Sequence, residues 1–150
     1  MIVNLNELPT LQAEWQGVVR MRDRIRNLVV STFALDARRS PIFGDMLYNL
    51  PYLLAFDVLK RVLLQASEAG QAIGSQGSLS ELMESAKTSL PWIDWHSLRE
   101  AVNRQNKVAR EGKLFGDIQC LDDIAVVETQ LIAWDIIADE PRVSASSIAL

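Results

Sequence analysis

The most constraining feature of the sequence is a stretch from about Pro51 to Ala69 that is apolar on nearly every face of a helix. Its large apolar residues are Leu53, Leu54, Phe56, Val58, Leu59, Val62, Leu63 and Leu64. Such a helix is normally central in a bundle, because other elements must cover all of its faces. No stretch of the chain alternates apolar and polar residues in the manner of a strand. The sequence therefore predicts an all-α fold.

Helical periodicity predicts four more helices around this one. They run from about Pro9 to Leu35, from Ser78 to Lys87, from Asp94 to Glu111 and from Asp117 to Ile137. Ser78 and Glu81 fit a capping box, and Asp94 and Gly112 are typical of an N-cap and of a helix stop. Glycine and proline mark the breaks, at Pro41, Gly44, Gly70 and Gly74.

These patterns predict a single helical bundle of about five helices over residues 1–138, followed by a loosely ordered tail over 139–150. A chain of 150 residues, 49% of them hydrophobic, is long enough for one sizeable core. The expected anchors are Trp15, Phe56, Leu63, Trp95, Leu98, Val102, Leu131 and Trp134. The four tryptophans and the all-round apolar helix also predict apolar surface shared between subunits, in a homodimer.

Charge and cysteine content limit the classes of function. The net charge of −4 argues against a protein that holds nucleic acid by bulk positive charge, so any anion-binding surface must be local. No apolar run reaches membrane-span length and no basic residue precedes Arg20, which predicts a cytoplasmic protein without a membrane segment or secretory signal. With one cysteine, Cys120, and one histidine, His96, neither a disulfide nor a structural zinc site is expected, and no cofactor or metal is predicted.

A polar strip on the fourth helix is the main candidate binding site. Arg99, Asn103, Asn106 and Arg110 follow one another at spacings of four, three and four residues, which places them on one face. Guanidinium forks and amide groups at this spacing suit phosphate oxygens and base edges. The alternative interpretation is an ordinary solvated helix face.

The run from Trp95 to Gly112, WHSLREAVNRQNKVAREG, followed by a long helix that ends QLIAW, resembles the C-terminal half of HEPN-like helical-bundle proteins. The likeness covers about residues 92–136. That family carries an Arg and, four to six residues later, a His, often within a run similar to Arg-Asn-x-Val-Ala-His-Glu-Gly. Here Arg104 can serve as the motif's Arg while Arg110 occupies the position of the His. Alternatively, Gln105 aligns with the Arg and Asn106 with its polar neighbour.

The resemblance implies a family in which the Arg and His take part in metal-independent RNA cleavage across a dimer cleft. Arg cannot replace that His as a general base, because its pKa stays above about 12. We therefore expect no catalytic residue by this route. The leading hypothesis is a non-catalytic nucleotide- or RNA-binding bundle that uses the strip, with Arg104 assisting.

Charged residues on apolar faces predict a buried polar pairing. Arg22 falls within the apolar stripe of the first helix and Glu128 within that of the last, where an unpaired charge is costly. Asp57 and Arg61 lie four residues apart on the central helix. We expect Arg22 or Arg61 to pair with Glu128 or Asp57 inside the bundle. The alternative is that these long side chains extend to the surface.

Two other classes of function compete with ligand binding. One is a structural or protein-interaction module of a defence or toxin-antitoxin-like system. The other is an all-α, Mg²⁺-dependent nucleotide pyrophosphohydrolase, for which the candidate carboxylates are Glu81, Glu84, Asp122, Asp123, Asp135 and Asp139. His96 is expected to be a capping or surface residue and Cys120 a small core residue.

Overall fold

A computed structural model describes residues 2–35, 47–68 and 77–139 of the chain, and those residues form five helices and no strand. The helices are α1 (Leu8–Leu35), α2 (Asn49–Glu68), α3 (Leu79–Ser85), α4 (Trp95–Glu111) and α5 (Asp117–Ala133). The all-α prediction is confirmed. The predicted breaks at Pro41, Gly44, Gly70 and Gly74, and almost all of the predicted tail, lie outside the described residues.

The helix ends follow the local signals in the sequence. Ser78 Oγ accepts a hydrogen bond from the Glu81 backbone N–H at 3.3 Å, and Asp94 Oδ1 accepts one from the Ser97 N–H at 3.0 Å. Gly112 ends α4 in the left-handed region, with φ of 65°. Each of these side chains or backbone conformations satisfies groups that a helix end leaves unpaired. The predicted caps of α3 and α4 are therefore confirmed.

The last helix is shorter than predicted, because it ends at Ala133 and not near Ile137. Asp135 adopts a φ of 58°, and its N–H donates to Ile132 O at 3.0 Å. The Ile136 N–H donates to Leu131 O at 3.0 Å, and the Ile136 side chain is buried. This is a Schellman motif with Asp in place of the usual Gly, so the sequence lacks the common stop signal.

The core is built around α2, which packs against the other four described helices. Seven of the eight predicted anchors are buried, whereas Trp95 is partly exposed and lies beneath the Lys87 ammonium at 4.2 Å. No described helix combines the length and the apolar character needed to cross a membrane. On one side α4 packs against α3 and on another against α5, so its polar residues meet two different neighbours.

One stripe of α2 remains at the surface of the single chain. Leu50, Leu54, Asp57 and Arg61 share this stripe by helical spacing, and all four are exposed. Asp57 Oδ2 lies 3.4 Å from Arg61 Nε, and both side chains are about half exposed, at 53% and 51%. The expectation that this pair lies inside the bundle is wrong, because the neighbouring helices leave this side of α2 open.

Candidate functional site

Two residues of the predicted strip, Arg99 and Asn106, converge on one hydroxyl of α3. Arg99 Nη1 donates to Ser80 Oγ at 3.2 Å and to Asn103 Oδ1 at 2.6 Å. Asn106 Nδ2 donates to the same Ser80 Oγ at 2.9 Å. We refer to Ser80, Glu84, Arg99, Asn103 and Asn106 as the Ser80 cluster. Its hydrogen bonds join the short helix α3 to the polar face of α4.

Glu84 completes the orientation of the Arg99 guanidinium. Its Oε1 accepts from Arg99 Nε at 3.1 Å, one turn further along α3 from Ser80. Arg99 is mostly shielded, at 23% exposure, whereas Glu84 is half exposed. A guanidinium held at Nε and Nη1 by three acceptors has lost most of its rotational freedom, so its remaining edge points in a defined direction.

The Ser80 cluster leaves a set of polar atoms without a partner among the described residues: Arg99 Nη2, Asn103 Nδ2 and Asn106 Oδ1. Within the described ranges, the side-chain atoms that are both buried and without a partner are Gln65 Oε1 and Trp95 Nε1. The three unpartnered atoms of the Ser80 cluster are not among them and are therefore accessible to solvent. Arg110 lies one turn beyond Asn106 and is exposed. The face that they form carries two guanidinium groups, one amide donor and one amide acceptor.

Arg104 does not join this face. Its Nε and Nη2 donate to Asp123 Oδ2 and Oδ1 at 2.9 and 2.8 Å, a bidentate pair that ties α4 to α5. Asp123 also accepts from the Tyr52 hydroxyl at 3.0 Å and from Gln119 Nε2 at 3.0 Å. We call Tyr52, Arg104, Gln119 and Asp123 the Asp123 cluster. The expectation that Arg104 assists the strip is therefore wrong, because its guanidinium is bound to Asp123.

The Asp123 carboxylate is almost completely buried, at 1% exposure, and lies in the interior of the bundle. Burial and the neighbouring Asp123 charge raise the pKa of Tyr52 well above its ordinary value, so its hydroxyl stays a donor. The hydrogen bond to Asp123 raises the pKa of Arg104 further. At neutral pH the cluster thus holds one fixed ion pair and a protonated phenol, which is an arrangement for holding helices together.

From the sequence, Asp123 was considered only as one of six candidate Mg²⁺ ligands, and neither Tyr52 nor Gln119 was identified. A signal was present, since Asp123 is three residues after Cys120 and four before Val127, both on the buried face of α5. A carboxylate in that position needs a buried partner. What the pattern of one helix could not show is that the partner is Arg104 of the helix before it.

The other predicted pairing residues lie away from both clusters. Arg22 Nη1 lies 3.8 Å from Glu128 Oε2, and both side chains are mostly shielded, with exposures of 18% and 23%. Arg22 Nε also donates to Asp23 Oδ1 at 3.2 Å. Arg61 pairs with Asp57 at the surface and donates to Glu14 of α1. The Arg22–Glu128 contact joins α1 to α5, and the Arg61–Glu14 contact joins α2 to α1.

The residues considered for other chemistry are dispersed. His96 is exposed, and its Nε2 lies 3.2 Å from Glu100 Oε1 at the start of α4. Cys120 is buried, with Sγ 3.7 Å from Phe115 O. Of the carboxylates considered for Mg²⁺, Glu84 faces Arg99 and Asp123 faces Arg104. Within the described ranges, no group of three or more His, Cys, Asp and Glu side chains is arranged to hold a metal ion.

Comparisons of the chain with family models, with curated proteins and with solved structures found no match. The geometry of the two clusters is therefore the basis for inferring a function. The Asp123 cluster has its hydrogen-bonding groups directed at one another, around a carboxylate that is almost completely buried. The Ser80 cluster is oriented by internal hydrogen bonds and still presents polar atoms to solvent.

Proposed function

We propose that the protein is a non-catalytic helical bundle that binds a phosphate-bearing ligand, a nucleotide or RNA, on the strip formed by Arg99, Asn103, Asn106 and Arg110. The observation that carries the proposal is the orientation of Arg99 by Ser80 and Glu84. An arginine already held in place loses little conformational entropy when it binds an anion, because its side chain is ordered beforehand. The exposed Arg110 extends the same positive face by one turn.

The chemistry of the strip favours binding over catalysis. Guanidinium, amide and hydroxyl groups do not exchange a proton near neutral pH in the way that a general base must. His96 could supply that property, but it lies about 20 Å from Arg110 along a helix that rises about 1.5 Å per residue. Within one subunit, Arg110 and the histidine therefore act separately.

Membership of the HEPN-like family is a part of this proposal. In the alignment that starts at Arg104, the first motif position is the arginine bound by the buried Asp123, and the second is the exposed Arg110. The first would then stabilise the fold and the second would contact ligand. Loss of RNA cleavage with retention of RNA binding is the expected consequence of such a division.

The proposal predicts that Arg110→Ala weakens binding of a short single-stranded RNA roughly tenfold and lowers the slope of log affinity against log salt by about 1. The matched control is Arg24→Ala, which removes the same charge from an exposed position on α1. Fluorescence anisotropy over a series of salt concentrations measures both quantities. Equal effects of the two substitutions, or no RNA or nucleotide binding by the wild-type protein, would refute the proposal.

A role as a protein-interaction module is the second candidate, and the open stripe of α2 favours it. Leu50 is 56% exposed and Leu54 38% exposed, beside the Asp57–Arg61 ion pair. Apolar side chains with charges at their edge are typical of protein interfaces. The homodimer belongs to this candidate, and light scattering at micromolar concentration tests it.

A further inference from the structure

We infer that Asn106 selects ligands that carry a hydrogen-bond donor close to their phosphate, so that the site prefers a nucleotide unit to a bare polyanion. This inference rests on the proposed function and narrows its ligand class. It follows from the direction of three hydrogen bonds in the Ser80 cluster.

The hydrogen bonds assign opposite polarity to the two asparagines. Asn103 Oδ1 accepts from Arg99 Nη1, which leaves Asn103 Nδ2 as the outward group. Asn106 Nδ2 donates to Ser80 Oγ, which leaves Asn106 Oδ1 as the outward group. Because Ser80 Oγ also accepts from Arg99, the two asparagines, Arg99 and Ser80 form one connected chain of hydrogen bonds.

The outward atoms therefore comprise donors at Arg99, Asn103 and Arg110 and an acceptor at Asn106. Ionised phosphodiester oxygens only accept hydrogen bonds, so they are attracted to the donors and repelled by Asn106 Oδ1. Residues three apart on a helix have Cβ atoms about 5–6 Å apart, which is within the size of one nucleotide. A ligand that satisfies the whole face must bring an N–H or O–H group to Asn106.

Nucleotides provide such donors next to a phosphate, whereas inorganic polyphosphate does not. The donors of a nucleotide are the N–H groups of its base and, in RNA, the 2′-hydroxyl. The inference thus separates two kinds of polyanion that a site of purely positive charge would bind alike. It also gives the two asparagines different roles. Asn103 contacts anions in general, and Asn106 discriminates between nucleotides and inorganic polyphosphate.

The test is a displacement assay in which unlabelled single-stranded RNA or inorganic polyphosphate of equal charge competes with a labelled RNA. We expect wild-type protein to prefer RNA, and Asn106→Ala to weaken RNA binding roughly fivefold without weakening polyphosphate binding, because the substitution removes an oxygen that repels phosphate. Asn103→Ala is the matched control, because it should weaken both competitors alike. Asn106→Asp keeps an outward oxygen, so it should weaken both competitors and retain the preference for RNA.

The outcomes separate this inference from the proposed function. If RNA and polyphosphate bind equally to wild-type protein, or if Asn106→Ala weakens both to the same extent, the inference is wrong and anion binding by the strip stands. If neither competitor binds, both the inference and the proposed function are wrong. DNA of the same sequence identifies the donor: binding equal to that of RNA assigns it to the base, and weaker binding assigns it to the 2′-hydroxyl.

Discussion

The two clusters on α4 each combine an arginine with a carboxylate, yet they differ in how the charges are covered. Asp123 is almost completely buried, and four donated hydrogen bonds reach its two oxygens. Glu84 is half exposed and accepts one hydrogen bond from Arg99. The same residue types thus stabilise the bundle on one face of the helix and form a candidate binding surface on another.

The two arginines are similarly exposed, so the difference shows that burial of the carboxylate decides what such a pair can do. A buried carboxylate must be paired, because an unpaired charge in the interior costs several kcal/mol. Arg104 is therefore committed to Asp123, which already receives as many hydrogen bonds as a carboxylate has favourable acceptor sites. In the Ser80 cluster the outward polar atoms border solvent, so a ligand can replace the water on them while the internal hydrogen bonds stay in place.

The largest expected effect comes from Asp123→Ala. This substitution leaves Arg104 without its buried acceptor and Tyr52 with only its 3.4 Å hydrogen bond to Ala101 O, and we expect it to lower the free energy of unfolding by about 3–5 kcal/mol. Chemical denaturation measures the change. Asp122→Ala is the control at the adjacent exposed position, with an expected effect within about 0.5 kcal/mol. A loss at Asp123 as small as that at Asp122 would remove the distinction between the clusters.

Tyr52→Phe tests the same cluster with a smaller change and a pH signature. Loss of the hydroxyl should cost about 1–2 kcal/mol, because Asp123 keeps its other donors. Burial raises the pKa of Tyr52 in the folded protein, whereas in the unfolded chain it ionises near pH 10. Only the unfolded state then loses this proton as the pH rises, so wild-type stability should fall above about pH 10.

The comparison of the wild-type protein with Tyr52→Phe isolates the contribution of Tyr52 to the pH dependence of stability. Tyr48, whose pKa burial also raises, is present in both and cancels from the difference. Denaturation curves between about pH 8 and 11 should therefore show a shallower alkaline loss for Tyr52→Phe than for the wild type. Parallel curves would mean that Tyr52 ionises as freely in the fold as outside it.

The features that the sequence predicted correctly are those determined within one helix. The caps at Ser78, Asp94 and Gly112 and the shared face of the strip depend only on neighbouring residues. The Arg104–Asp123 pair was not predicted, because it depends on how two helices face each other. Which residues of α2 form its open stripe was not predicted for the same reason, since an apolar composition does not specify where the neighbouring helices pack.

Ser80→Ala has the smallest expected effect on stability and a larger one on binding. It removes the acceptor shared by Arg99 and Asn106, but both side chains border solvent and can bind water instead. The better helix propensity of Ala offsets part of the loss, so we expect a net change of about 0.5 kcal/mol.

Ser85→Ala is the matched control for Ser80→Ala, because it removes an exposed hydroxyl from the same helix. RNA affinity and the denaturation midpoint, measured on both variants, should fall together only if the Ser80 cluster is part of the core. We expect Ser80→Ala to weaken RNA binding with little loss of stability, and Ser85→Ala to change neither. A loss of stability as large as that of Asp123→Ala would show that the Ser80 cluster, too, belongs to the structural interior, and the contrast between the two faces of α4 would then fail.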